Sequence, residues 1–120
     1  MDKEELRKRH KAFAIRIVKM VEAMPRTIAA DAIARQVIRF GTSPSANYRA
    51  ACIAKSDKDF VNKLKMVEEE LDETLHWLEL IVDCQILPED RMKDIIHECS
   101  KLLGITVAAI VTTKKTIDNN

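Results

Sequence analysis

Turn-forming residues are scarce in this chain, with 2 Gly and 3 Pro among 120 residues. An all-β fold needs many more of them at its hairpins, so that class is excluded. Aromatic residues are scarce too: 3 Phe, 1 Tyr and 1 Trp, where β-sandwiches and barrels are rich in them. Cysteine stops at an odd number, Cys52, Cys84 and Cys99, at no metal-ligand spacing. Each falls within or beside an apolar helical stripe, which predicts reduced, buried thiols and a cytoplasmic setting. No stretch approaches the ~18 consecutive apolar residues of a membrane span, so no membrane partner is expected. The opening MDKEELRKRHK is charged where a secretory leader would be apolar.

What is present suits one compact helical domain over residues 1–120, with 47% hydrophobic and 32% charged residues. The net charge of +1 conceals an asymmetry. Residues 1–65 carry 15 Lys and Arg against 7 Asp and Glu, whereas residues 66–120 carry 5 against 12. Halves of opposite sign point to complementary helices, within a bundle or between subunits, with a basic face for nucleic acid as the other reading.

Hydrophobic periodicity predicts four helices, near 3–24, 27–54, 57–84 and 89–113, packed as a left-handed, up-down-up-down antiparallel bundle. In the first, Leu6, His10, Phe13, Ile17, Met20 and Met24 step by 4 and 3 up to Pro25. His10 lies on this seam near a fraying end and is expected to be partly buried. The third opens with Ser56 and Asp59 at capping-box spacing. Its seam runs through Phe60, Leu64, Val67, Leu71, Leu75, Leu78 and Val82. The fourth follows Pro88, with acids in its first turns, a stripe of Met92, Ile96, Cys99, Leu103, Thr106 and Ile110, and Lys114 and Lys115 at its end.

The second segment contains Gly41 and Pro44 within RFGTSPSANYRAA. An interior proline costs about 3 kcal/mol in a helix, yet 37, 41, 44, 48 and 51 keep the 4-3 phase across it. A true break resets the phase, so a continuous helix kinked near Phe40–Pro44 is predicted. A phosphate-binding turn is excluded because no strand precedes the stretch and no glycine-rich spacing exists. Gly41, Ser43, Ser45 and Ala46 read as small residues that admit a neighbouring helix. Asn47, three residues past the kink, is expected to be partly buried, with its amide on backbone groups loosened by Pro44.

Residues 40–81, FGTSPSANYRAACIAKSDKDFVNKLKMVEEELDETLHWLELI, resemble the four-helix-bundle proteins encoded in intervening sequences of bacterial large-subunit ribosomal RNA genes. The matching features are Gly41-Thr42-Ser43, Ala46-Asn47-Tyr48, Asp59-Phe60, Glu69-Glu70, Asp72-Glu73-Thr74 and Trp77-Leu78-Glu79-Leu80. The resemblance implies an up-down-up-down bundle that assembles as a ring-like homopentamer, without an established activity. A related branch, the accessory variability determinants of retroelements, binds nucleic acid and a reverse transcriptase through a strongly basic surface. The near-neutral charge of this chain departs from that branch.

Candidate functional residues follow from helical phase. Glu73-x-x-His76 and Asp94-x-x-His97 have the spacing of a carboxylate-bridged di-metal site. Both histidines point outward in phase, so no metal or other cofactor is expected. Glu70, Glu73 and Trp77 share one flank of the third helix, where Arg35, Arg39 and Arg49 of the second are expected to meet them, within or between subunits. A catalytic carboxylate pair would need a cleft that the pattern does not imply. Arg7, Lys8, Arg9, Lys11, Arg16 and Lys19 are candidate nucleic-acid contacts, or simply a solvated face. Surplus apolar residues on the second and third helices, among them Phe40, Trp77, Leu80 and Ile81, predict a lateral homo-oligomer interface. A non-enzymatic scaffold or adaptor is therefore the leading reading. The alternative is a nucleic-acid-binding accessory protein associated with ribosomal RNA or a retroelement.

Overall fold

The computed structural model describes residues 1–119. Four helices follow one another: α1 (Lys3–Glu22), α2 (Ile28–Cys52), α3 (Asp57–Asp83) and α4 (Glu89–Asp118). Short connections reverse the chain each time, giving an all-α up-down-up-down bundle of 53 × 22 × 20 Å. Local chemistry sets the boundaries. Asp2, Thr27 and Ser56 each accept a backbone N–H from three residues on, capping α1, α2 and α3. The capping box of α3 is displaced by one residue, since Asp59 reaches back to the Lys55 N–H. Ile86 and Gln85 donate back to the carbonyls of Ile81 and Val82, a Schellman closure of α3. The left-handed position falls on Gln85, at φ 57°.

α2 runs unbroken through Pro44. The phase argument holds because Pro44 is itself buried on the inner face, between Gly41 and Tyr48. The Thr42 hydroxyl donates to the Ile38 carbonyl at 2.6 Å, and that of Ser45 to the Thr42 carbonyl at 3.0 Å. Gly41 makes room for Ile17 of α1. A Cβ there would stand 2.9 Å from two side-chain carbons of Ile17.

The core runs the length of the bundle through Phe13, Ile17, Val37, Leu64, Leu71 and Leu102. Burial departs from the periodic reading at Met20 of α1, which is only partly buried, and more widely on two helices. In α3, Val61, Thr74 and Ile81 are buried, and Phe60, Leu75 and Val82 only flank the core. In α4, Ile95 and Leu102 replace Ile96 and Leu103. α4 packs extensively on α3 and sparsely on α1, so its buried arc turns toward α3. The hydroxyls of Thr74 and Thr106 enter the core by donating to carbonyls four residues back.

α4 also continues to Asp118, five residues past its expected end. Thr113 and Thr116 hydroxyls bond the carbonyls of Ala109 and Thr112 there, and no breaker intervenes. The pairing of Arg9 with Glu98 sets the register of α1 against α4. α4 goes on for 20 residues beyond Glu98, while α1 begins only six before Arg9. The C-terminal half of α4 thus outruns α1, and Val107 and Val111, one turn apart, stay 40% and 47% exposed. α4 is long and apolar enough to cross a membrane by length and composition alone, although Glu98, Lys101 and several threonines interrupt its apolar residues, so the sequence has no continuous apolar run there. Cys84 is a correction to the expectation of buried thiols. It caps α3 at an exposed turn, while Cys52 is half-buried and Cys99 fully buried.

Candidate assembly surfaces

Asn47 is half-buried on α2, as its phase requires, but its partner is not backbone. Its Nδ2 donates to Glu70 Oε1 of α3 at 2.8 Å. The hydroxyls of Thr42 and Ser45 bond the carbonyls of Ile38 and Thr42, whereas the Asn47 amide lies on the side of α2 that faces α3. Asn47→Leu should therefore lower the melting temperature by about 5 °C, because it strands a half-buried carboxylate. Glu70→Gln keeps an acceptor and should lose much less. Thermal unfolding of both variants checks this, and an unchanged midpoint for Asn47→Leu would show the bond to be dispensable.

One turn on, Trp77 Nε1 donates to Glu73 Oε2 at 3.1 Å, and the indole meets the His76 ring edge-on at 4.9 Å. No arginine joins this group among the described residues. Arg35, Arg39 and Arg49 are all exposed. Arg39 lies over its own neighbour Phe40 at 5.2 Å, and Arg49 turns toward α1. The expected arginine–carboxylate pairing within the chain is thus corrected. Asn47 takes the inner carboxylate, while Arg35 and Arg49 line clefts on the α1 side of α2. His76, Asp94 and His97 are exposed, as their phase indicated.

The six basic residues of α1 separate into three kinds. Arg9 is half-buried and grips Glu98 with two bonds of 2.7 Å. That bond holds the Glu98 carboxyl below the usual glutamate range, against the opposing effect of burial. Arg9 is therefore withdrawn from the set of free contacts. Arg16 and Lys19 are exposed further along the helix. Arg7, Lys8 and Lys11 form one wall of a cleft of about 620 Å³, whose other wall is Ser45, Ala46 and Arg49 of α2. Arg7 and Lys11 on α1, and Ser45 and Arg49 on α2, are each four apart, so two helix faces meet across the groove. Ser45 and Ala46 are small and leave the α2 side open. Among the described residues only Glu4 comes within 4 Å of these cations, at 3.9 Å from Arg7 and Lys8. The sequence reading identified α1's share of this cleft. It missed the α2 wall, although Ser45 and Arg49 carried the matching four-residue spacing.

Beneath the cleft the chain buries a histidine. His10 is 1% exposed, its ring stacked on Tyr48 at 4.7 Å, with neither ring nitrogen hydrogen-bonded. Partial burial was expected because helix ends fray. Here the Asp2 cap, the Arg9–Glu98 bridge and the Tyr48 ring hold the first turns of α1 closed. Burial pushes the imidazole down to about 4; Glu98 opposes that shift and Arg9 adds to it. Burial likewise pushes the Cys99 thiol up to about 12, and its Sγ lies 3.4 Å from the Leu71 carbonyl. That thiol is inert.

A sequence model of the 23S rRNA-intervening sequence protein family matches residues 3–108. The chain belongs to that family. The match takes in α1, α2, α3 and two-thirds of α4. Among solved structures, the chain is similar to a protein of unknown function of the S23 ribosomal protein family from Bacteroides thetaiotaomicron. The two are 28% identical with a TM-score of 0.79, over 88% of this chain and 97% of that one. No curated protein matches. Neither the family description nor that of the structural neighbour names an enzymatic activity.

Proposed function

We propose that this chain is a non-enzymatic scaffold or adaptor that works as a homo-oligomer, with the ring-like pentamer as its stoichiometry. The supporting observation is electrostatic. The basic and acidic halves of the chain share one ion pair between helices among the described residues, Arg9 with Glu98. Their other pairs lie within single helices or at the start of α2. Charge that does not pair inside the monomer is available to a second copy. The exposed thiol of Cys84 suits a reducing, cytoplasmic setting. Sedimentation equilibrium at micromolar protein in low salt tests the proposal. A mass near five times 13.7 kDa is expected, and a 13.7 kDa monomer at every concentration would end the reading.

A second reading has its own observation. The cleft lined by Arg7, Lys8, Lys11 and Arg49 would suit a phosphate backbone, as in an accessory protein for ribosomal RNA or a reverse transcriptase. Co-purifying nucleic acid, seen as a high 260-to-280 nm absorbance ratio before any salt wash, would favour it.

A further inference from the structure

The distribution of charge around the bundle goes further than self-association in general. From Arg7 to Lys19, α1 carries six basic residues and no acid. From Glu68 to Asp83, α3 carries seven acids and no Lys or Arg. Both runs keep exposed members: Arg7, Lys8 and Lys11 on α1, and Glu69, Asp72 and Glu73 on α3. Successive helices pack on one another, and α1 does not pack on α3. These faces therefore lie diagonally across the bundle, and neither can neutralise the other within one chain. At the first residue of α1 a side chain does reach across, where the Lys3 ammonium sits over the Phe60 ring at 4.5 Å.

We infer that the acidic face of α3 docks along the basic α1/α2 cleft of the next copy, making a head-to-tail contact between identical chains. Two different faces meet in such a contact. The same contact can therefore repeat from copy to copy, and it closes into a ring when the rotation allows. This rests on the self-assembly reading above and names the surface that carries it. An acidic helix face suits the cleft for two reasons. Ser45 and Ala46 are small and leave the α2 side open, and among the described residues its cations have only Glu4, at 3.9 Å, as competitor. Arg49, which pairs with no acid among the described residues, then faces α3 of the neighbour. Trp77, beside Glu73, comes to the edge of the contact and reports on it.

Complementary charge reversal tests this assignment. One variant carries Arg7→Glu, Lys8→Glu and Lys11→Glu; the other carries Glu69→Lys, Asp72→Lys and Glu73→Lys. All six positions are exposed, and circular dichroism establishes that both variants keep the wild-type helical signal. Each alone presents like charge on both faces and should sediment as a monomer where the wild type assembles. Mixed in equal amounts, each variant's unaltered face matches the other's unaltered face, and the two reversed faces match as well. Association should return, with the copies alternating and a shift in Trp77 emission. An alternating ring cannot close with an odd number of members, so the mixture should form even-numbered species. For the wild type, raising salt from about 50 mM to about 500 mM should weaken assembly about tenfold or more.

Either variant assembling alone as the wild type does would overturn the surface while leaving self-assembly standing. A monomeric wild type would remove the reading on which it rests. Wild-type assembly that dissolves on nuclease treatment would assign the cleft to nucleic acid instead.

Discussion

Replacing His10 with phenylalanine should stabilise the fold, and by more at pH 5 than at pH 7.5. In the native chain the imidazole is sealed between α1 and Tyr48 with both nitrogens unpartnered, a desolvation cost of about 1–3 kcal/mol. Phenylalanine keeps the stacked ring and removes the stranded polar atoms. Burial lowers the folded-state value of His10 from 6.5 to about 4. Between those values the unfolded chain takes up a proton that the folded chain refuses. The stability that His10 permits is fully present above about pH 6.5 and is lost as pH falls toward 4. The loss is about 2 kcal/mol by pH 5 and about 3 kcal/mol in all. Glu98, held low by Arg9, also loses stability on acidification, but only below the ordinary glutamate range. Its contribution is shared by both proteins and cancels in the comparison. Urea unfolding of the two at pH 7.5 and pH 5 measures the difference. Parallel losses on acidification would show that His10 is not the group responsible.

Gly41→Val should be strongly destabilising, by about 3 kcal/mol, with a melting temperature lower by roughly 10 °C. The first added carbon would stand 2.9 Å from the Cγ1 and Cγ2 atoms of Ile17. These are branch carbons of a stiff, fully buried side chain, which cannot swing aside. Gly41→Ala sets the same clash against a gain of about 1 kcal/mol in helix propensity, and a smaller net loss is expected. Gly104 is the internal control. A Cβ there meets nothing within 4 Å, so Gly104→Ala should gain about 1 kcal/mol. Thermal unfolding orders the three variants, and a neutral Gly41→Val would mean that α1 and α2 separate at little cost.

The two glycines show what a sequence alone conveys. Both sit in helical segments, and pattern reading marked Gly41 as a close approach because it falls in phase with Val37 and Tyr48. It had no such signal for Gly104, which lies on the exposed side of α4. Asn47 is similar. Its partial burial follows from its helical phase, but its partner sits 23 residues away on α3. Only the register between two helices names that partner.

Periodicity, capping residues and the lack of turn-formers were sufficient for four helices, their order and the continuity of α2 through Pro44. Each of these is a short-range property. A helix's phase and caps are set by residues three or four apart, and the chain carries them wherever it goes. The same short-range reading placed opposite charges in the two halves. It could not pair them, because pairing depends on which faces the bundle turns toward each other. Tertiary packing gave Glu98 to Arg9, took Arg49 away from the carboxylates of α3 and sealed His10 against Tyr48. It also set the basic and acidic runs on opposite corners. The reason is rotational. A shift of one residue about a helix axis is about 100°, and the buried arc of α4 turned by one residue at Ile95 and Leu102. Apolar spacing tolerates such a turn because neighbouring positions are apolar too, whereas every charged partner depends on it.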